Sequence, residues 1–239
     1  MDSKTKVKIV EEKWPDSKLK SRTSFKDQPE IFFPQKHGLE EKWYSDGQLR
    51  ERTNWVDGRL FGLSEEWYEN GKPRLKTIYQ GENIYSPEPM ERWDMDGVLL
   101  EKRTVFPDGK FIYEEWYENG KPKSRKEKLA TPEGYVDHGK DEEWRQDGTY
   151  YITERLYGKW HGINAKYDKN GNLINLTNFQ DNMYHGISTN GTDFEYYLHD
   201  KKVTEKEFKE YISAIGKKIA VELNLDEVSL GNIIAEYSF

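Results

Sequence analysis

The most regular feature of the chain is a nine-residue pattern in which two polar residues precede two aromatic residues and a polar turn with glycine follows. It reads Glu-Glu-Trp-Tyr-Glu-Asn-Gly-Lys-Pro at residues 65–73 and again at 114–122. Looser copies bring the number to seven, with aromatic anchors at Trp14, Trp43, Trp67, Trp93, Trp116, Trp144 and Tyr167. Consecutive anchors lie 29, 24, 26, 23, 28 and 23 residues apart. A recurrence of this length predicts a repeat architecture.

Each copy predicts a β-hairpin. Asp-Gly or Asn-Gly stands between two runs of strand-forming residues, and both turn positions tolerate positive φ. A two-residue loop at 46–47 makes the numbers of paired residues sum to 93, and a four-residue loop centred on the same dipeptide gives the same register. Trp43 is then predicted to face Arg50. Glu41 is predicted to face Arg52.

Charged residues recur at fixed distances from the anchors. Glu stands two residues before each Trp anchor, and most copies carry basic residues seven and nine positions after the anchor. Because side chains alternate along a strand, Glu, Trp and both basic residues are predicted to share one face. The further predicted cross-strand pairs are Glu65/Lys76, Glu91/Lys102 and Glu114/Arg125. Each pair should contribute about 0.2–1 kcal/mol, and Trp–Arg contacts about 0.5–1 kcal/mol of cation–π attraction.

A second signature lies between the hairpins. Four of the five histidines precede a glycine at one repeat position: His37, His138, His161 and His185. Equivalent positions in successive repeats lie roughly 10 Å apart, which is too far for one metal ion to bind two of them. We therefore interpret the histidines as structural, packed over a turn that Gly makes accessible.

The pattern changes near residue 203, which divides the chain into a repeat region at 1–202 and a helical segment at 203–239. Thr204 and Glu207 form a capping box, and helical spacing of apolar residues follows. Asn224 or Asp226 could cap a second helix. These helices either cover the last hairpin, as terminal repeats require, or dock a partner.

Composition narrows the class of protein. The chain is 34% hydrophobic and 34% charged, with net charge −7 and mean hydropathy −1.04. That is polar for a globular core and raises the alternative of disorder, but 14% aromatic residues argue against it. A single-layer sheet reconciles these numbers. Proline and glycine predict loops at 27–34, 86–89 and 130–134.

Several classes are disfavoured. There is no Cys for a disulfide or thiolate metal site. The first residues lack the apolar run of a secretory signal, and no stretch reaches the ~20 apolar residues of a membrane span. We therefore expect a soluble, intracellular protein, and its acidity argues against nucleic-acid binding.

The repeats resemble MORN repeats, which run from an aromatic residue through Gly to His-Gly. Segments 55–62 and 179–186 carry this pattern. The Trp-Tyr-x-Asn-Gly half resembles the variant repeat of bacterial proteins labelled as antitoxins, and it is similar to MORN proteins of large DNA viruses. The resemblance implies a mainly β fold, an elongated single-layer antiparallel sheet of stacked hairpins with a short C-terminal helical cap. It also implies a scaffold role.

The residues do not predict an enzyme, a cofactor or a metal site. Adjacent carboxylates such as Glu114 and Glu115 face opposite sides of a strand and cannot act together on one substrate. We therefore expect a non-catalytic scaffold for protein–protein interaction or assembly. Its candidate partner-binding residues are Trp43, Trp67, Trp93, Trp116, Trp144, Tyr167, Arg50, Arg74 and Lys123.

Three alternatives stay open from the sequence. One is a structural component of a viral particle that assembles with its own copies or with other proteins. Another is an antitoxin-like module. The third is binding of acidic phospholipids, which the alternation of basic residues with Glu disfavours. The sequence does not identify the partner.

Overall fold

The computed structural model describes residues 6–27, 34–79 and 88–223. These residues form seventeen β-strands followed by one α-helix. The predicted mainly β fold of consecutive antiparallel hairpins with a C-terminal helix is confirmed. The chain divides into two compact units, Met1–Val136 and Asp137–Phe239.

Strands pair antiparallel with their neighbours in sequence within each unit. The first unit contains β1 (Val7–Lys13), β2 (Leu19–Lys26), β3 (Lys36–Trp43), β4 (Leu49–Val56), β5 (Arg59–Trp67), β6 (Pro73–Tyr79), β7 (Met90–Trp93), β8 (Leu99–Val105), β9 (Lys110–Trp116) and β10 (Pro122–Thr131). The second contains β11 (Gly134–Trp144), which starts just before the division, β12 (Tyr150–Leu156), β13 (Lys159–Tyr167), β14 (Leu173–Gln180), β15 (Met183–Thr189), β16 (Phe194–Leu198), β17 (Lys201–Val203) and α1 (Glu205–Leu223).

A three-residue turn closes each anchor hairpin. In the second copy the N–H of Gly47 donates to the carbonyl of Tyr44 at 3.0 Å, and the N–H of Tyr44 donates to the carbonyl of Gln48 at 2.9 Å. This is a type I turn followed by Gly in the left-handed region, with φ 97°. Asp46 accepts the N–H of Gln48 at 2.8 Å, which explains why Asp or Asn precedes the Gly. The predicted loop of two or four residues is therefore wrong.

The same two backbone hydrogen bonds recur along the chain. They define turns that begin at residues 14, 68, 94, 106, 117, 145 and 168. The turn at 106 lies between two anchors and was not predicted, although Pro-Asp-Gly precedes its second strand. The residues of the turn therefore identify the hairpins of this chain more generally than the aromatic anchor does.

The turn introduces a β-bulge that changes the register beside the anchor. Glu41 faces Arg52 as predicted, but Trp43 faces Leu49, and Arg50 is the extra residue of the bulge. The predicted pair Trp43/Arg50 is therefore wrong. The predicted pairs beyond the bulge are confirmed: Glu65/Lys76, Glu91/Lys102 and Glu114/Arg125.

The first copy is offset by one residue from the predicted alignment. Trp14 itself starts the turn, a position that follows the anchor in the later copies. Ser17 takes the place of Gly, with φ 71°. Because of this offset, Glu11 rather than Glu12 faces Arg22.

A different turn joins one hairpin to the next. Both of its residues have positive φ, as type I′ turns require. Such turns occur at Asp57-Gly58, Tyr157-Gly158, Asp181-Asn182 and His199-Asp200. These tight turns lie at the end of the strands opposite the anchor turns, whereas the turn at 106, which joins β8 to β9, has the same two hydrogen bonds as the anchor turns.

The C-terminal helix starts where the capping box predicts. The N–H and the hydroxyl of Thr204 each donate to the Glu207 carboxylate at 2.8 Å, and the N–H of Glu207 lies 3.3 Å from the Thr204 hydroxyl. Phe208 is buried and stacks on Tyr196 of β16 with ring centroids 5.4 Å apart. The helix therefore packs on β16, as the prediction of a cap over the last hairpin requires. The second predicted helix lies outside the described residues.

One predicted loop is a tight turn instead. Strand β10 runs to Thr131 and β11 starts at Gly134, so only Pro132 and Glu133 lie between them. Proline and glycine marked the turn correctly but not its length. Most residues of the other two predicted loops lie outside the described ranges.

Candidate interaction surface

A row of ten charged side chains crosses the first unit, one on each strand. In strand order they are Glu11, Arg22, Glu41, Arg52, Glu65, Lys76, Glu91, Lys102, Glu114 and Arg125. Each residue directly faces the next one across paired strands, so acidic and basic residues alternate without interruption from β1 to β10. We call this row the charge ladder.

The contacts of Arg22 and Arg52 show how the ladder is held together. The Nε of Arg22 donates to Glu11 at 2.9 Å, and its Nη1 lies 3.9 Å from Glu41. Arg52 donates to Glu41 from the other side at 3.1 Å. Glu41 is only 9% exposed because bases flank it on both sides. Directly facing opposite charges of this kind contribute about 0.2–1 kcal/mol each.

Two more rows flank the ladder on the same face of the first unit. Trp43 lies two residues after Glu41, and the Arg22 guanidinium carbon lies 5.9 Å from the Trp43 ring, so Arg22 contacts both residues. The tryptophan row consists of Trp43, Trp67, Trp93 and Trp116, all half-buried. The aliphatic row, on the other side of the ladder, consists of Ile9, Leu39, Leu63, Ile78 and Ile112. The three rows together are the ladder face.

The aliphatic row is exposed to solvent. Leu63 on β5 faces Ile78 on β6, at the middle of the ten strands. Leu63 is 36% exposed and Ile78 is 43% exposed. Ile9 on β1 is 57% exposed. Apolar side chains that are grouped and rimmed by charges mark interaction surfaces more often than isolated ones do.

The predicted basic partner-binding residues do not lie on the ladder face. Arg74 donates to Glu66 at 3.1 Å, and Lys123 lies 3.4 Å from Glu115. Both glutamates immediately precede an anchor, so they point to the opposite face. The physical reason is the bulge, in which the residue seven positions after the anchor is the extra one and leaves the alternation.

Arg50 follows the same rule. Its guanidinium carbon lies 6.0 Å from the ring of Tyr44, which follows the anchor and therefore points away from the ladder face. The predicted cation–π contact of Arg50 with Trp43 is thus replaced by one with Tyr44. The hydroxyl of Tyr44 donates to the carbonyl of Trp67 at 2.7 Å, and Tyr68 does the same to Trp93 at 2.9 Å. The tyrosine after each of these anchors joins one repeat to the next.

The opposite face of the first unit contains a buried carboxylate. Glu40 is 4% exposed and accepts hydrogen bonds from Lys36 at 2.8 and 2.9 Å, from Trp55 Nε1 at 2.9 Å and from Thr23 at 3.2 Å. Burial raises the pKa of Glu40, but the Lys36 hydrogen bond, the charges of Lys42 and Lys36, and the Trp55 N–H outweigh burial, and its pKa lies below the ordinary 4.5. This site stabilises the fold.

In the second unit, the row equivalent to the ladder begins with Glu142 and is apolar from there on. Glu142 faces Ile152, Ile152 faces Ala165, and Ala165 faces Leu176. Ile152 and Ala165 are buried, at 8% and 0% exposure. The second unit therefore uses this register position for packing, whereas the first unit uses it for charge.

The last two predicted aromatic site residues form a stack within the second unit. The ring centroid of Trp144 lies 5.3 Å from that of Tyr150, which lies 5.6 Å from that of Tyr167. The Tyr150 hydroxyl donates to Glu142 at 2.7 Å. Trp144 and Tyr167 thus have aromatic neighbours and no charge ladder beside them, so the candidate surface is confined to the anchors of the first unit.

Three of the four histidines at the recurring His-Gly position, His37, His138 and His185, contact the type I′ turns. The Nδ1 of His37 accepts the N–H of Asp57 at 3.4 Å, while the carbonyl of Lys36 accepts the N–H of Gly58 at 2.8 Å. In the same way, the Nδ1 of His138 accepts the N–H of Tyr157 and the Nδ1 of His185 accepts the N–H of His199, both at 3.4 Å. The predicted packing of His over a turn is confirmed at these positions. Within the described ranges, no three His, Asp or Glu side chains are grouped as a metal ion would need.

The sequence predicted four of the five pairs within hairpins but not Glu11/Arg22, and it did not predict that the ladder is continuous. The contacts that join one hairpin to the next are Arg22/Glu41, Arg52/Glu65, Lys76/Glu91 and Lys102/Glu114. A hydroxyl row on the opposite face was missed altogether. It contains buried Thr23, Thr53 and Thr77, and its signal was a Thr ten residues after the anchors at 43 and 67.

Three segments of the chain match the family model described as a MORN repeat variant: 36–57, 62–80 and 112–127. These segments contain six of the ten ladder residues, on β3 to β6, β9 and β10. The match supports a MORN-repeat protein, as the sequence resemblance predicted. No curated protein matches the chain. Within the described residues, no helix has the length and apolar character that crossing a membrane requires.

Proposed function

We propose that this chain is a non-catalytic repeat scaffold that binds a protein through the ladder face of its first unit. MORN repeats commonly serve protein or membrane-lipid interactions, and the match to that repeat makes a scaffold role the first hypothesis. The observation that carries the proposal is the continuous charge ladder between a tryptophan row and an exposed aliphatic row. Tryptophan and arginine are the residue types enriched at the centres of protein interfaces.

The distribution of charge favours a protein over an anionic membrane. Each internal base of the ladder lies between two acids, so the face presents no cluster of positive charge. Binding of acidic lipids by a peripheral surface requires grouped Lys and Arg residues. A protein surface, in contrast, can offer both signs of charge at matched spacing together with apolar contact area.

Removing tryptophans from the ladder face tests the proposal. The double variant Trp67→Ala and Trp116→Ala should fold, because the hydrogen bond from Tyr44 reaches the main-chain carbonyl of Trp67 and survives the substitution. Affinity capture from the native host, followed by mass spectrometry, should lose the partners that the wild type retains. The matched control replaces two exposed aromatic residues of the second unit, Tyr157→Ala and Phe194→Ala.

Two outcomes would count against the proposal. Equal capture by the wild type and by the folded tryptophan variant would show that the ladder face does not bind the partner. Co-sedimentation of the wild type with anionic vesicles at low salt would place the lipid hypothesis first. An intracellular location, an antitoxin-like role and a place in a viral particle stay predictions from the sequence.

A further inference from the structure

The order of charges in the ladder makes the ladder face complementary to itself. Acidic residues occupy the odd strands β1, β3, β5, β7 and β9, and basic residues occupy the even ones. Ten strands have their midpoint between β5 and β6. Rotating a second copy by 180° about an axis parallel to the strands at this midpoint places strand k against strand 11 − k. One number of each such pair is odd and the other even, so every acid meets a base.

The other two-fold arrangement of the same faces is repulsive. An axis parallel to the ladder places each strand over its own counterpart, so that Glu65 would meet Glu65 and Lys76 would meet Lys76. Like charges placed together in an interface disfavour association. Only one face-to-face orientation therefore satisfies the charges, and a single two-fold orientation is what a closed dimer needs.

The apolar side chains agree with this orientation. Rotation about the axis between β5 and β6 brings Leu63 of one copy onto Ile78 of the other, and Ile78 onto Leu63. Both residues are more than a third exposed. The tryptophan row stays at the same end of the strands, so Trp93 on β7 lies over Leu49 on β4 of the second copy. Apolar contact would provide the driving force, and the charges would select the orientation, since ion pairs contribute more to specificity than to affinity.

We infer that the ladder face binds a second copy of this chain in a two-fold dimer centred between β5 and β6. This inference rests on the proposed function and names the partner of the same surface. At the centre of the dimer, Glu65 of each copy faces Lys76 of the other. One strand further out, Glu91 faces Arg52.

Charge reversal in two complementary variants tests the inference. The basic variant carries Glu65→Lys and Glu91→Lys, and the acidic variant carries Arg52→Glu and Lys76→Glu. Each alone places like charges at four central contacts of the dimer. In a mixed dimer, every one of these contacts again joins opposite charges. Size-exclusion chromatography with light scattering should show a concentration-dependent dimer for the wild type, at twice the 28.4 kDa of one chain.

The expected result is a monomer for each variant alone and a dimer for their equimolar mixture. Recovery in the mixture would show that the variants are folded. The control is Arg74→Glu with Lys123→Glu, which has the same charge change as the acidic variant. Its residues lie on the opposite face, so it should dimerise as the wild type does. Circular dichroism of each variant identifies one that does not fold, and in that case Leu63→Ser with Ile78→Ser replaces it, with loss of the dimer expected.

A wild type that stays monomeric up to its solubility limit would overturn the inference, as would variants that dimerise unmixed. Neither result would by itself refute the proposed function. That function would still be supported if Trp67→Ala with Trp116→Ala lost captured host proteins. Conversely, a dimer that depends on the ladder together with unchanged capture by the tryptophan variant would uphold self-association and refute a heterologous partner on this face.

Discussion

Replacing the buried carboxylate of Glu40 should destabilise the first unit more than replacing any glutamate of its exposed pairs. Glu40→Gln keeps the shape of the side chain but leaves the Lys36 ammonium without its counterion. Loss of one partner from a buried ion pair costs about 3–5 kcal/mol. The Lys36 side chain is 34% exposed and can turn towards water, so we expect about 3 kcal/mol, at the lower end of that range.

Denaturation with guanidinium chloride and hydrogen exchange in β3 and β4 measure this loss. The matched control is Glu66→Gln, since Glu66 pairs with Arg74 at 3.1 Å and the two side chains are 31% and 56% exposed. An exposed pair is worth about 0.2–1 kcal/mol. If both variants lost the same free energy of unfolding, Glu40 would not be the buried ion pair that its contacts indicate.

The same residue predicts a pH dependence. The fold holds the pKa of Glu40 below the 4.5 of an unperturbed glutamate. Its contribution to stability is therefore present above the unfolded pKa and is lost as the pH falls through the folded pKa. The difference in free energy of unfolding between the wild type and Glu40→Gln should shrink as the pH is lowered from neutral to below the folded pKa of Glu40. A difference that stayed constant over this interval would contradict the assignment.

Four further substitutions test the turns and the helix. Ser17→Gly should raise the free energy of unfolding by about 0.5–1 kcal/mol, because Ser17 holds φ 71° where Gly has no left-handed penalty; a lower denaturation midpoint would contradict this. Gly120→Ala should cost about 1 kcal/mol through φ alone, and Gly148→Ala more, because a Cβ there would lie 2.6 Å from Lys169; equal midpoints would contradict it. Phe208→Ala should cost about 3–5 kcal/mol of helix packing, and unchanged protease resistance of α1 would argue against that.

The regular spacing of short signals explains why the fold could be predicted from the sequence. Asp-Gly and Asn-Gly mark the turns, alternation marks the strands, and the capping box at Thr204 marks the helix. Each of these signals involves only a few neighbouring residues, so it can be recognised in the sequence. The bulge cannot be recognised in this way, because the extra residue at Arg50 follows from backbone geometry after the turn rather than from the identity of the side chain.

The same reason explains which part of the candidate surface was predicted. Trp43 and Glu41 precede the bulge on one strand, and their common face follows from alternation. Arg74 and Lys123 are the bulged residues themselves, so alternation assigned them to the wrong face. Lys76 lies past the bulge, where the pairing with Glu65 is regular again.

The sequence by itself determined that the chain is a series of hairpins and that the hairpins of the first unit pair acids with bases, because both properties depend on contacts within single hairpins. Only the tertiary structure decided that the hairpins join in register, so that Arg22 meets Glu41 and Arg52 meets Glu65. Between β4 and β5 this alignment is supported by the tight turn at Asp57-Gly58, by the contact of His37 with that turn, and by the hydrogen bond from Tyr44 to the Trp67 carbonyl. A continuous ladder is therefore a property of the assembled sheet, and no single repeat contains it.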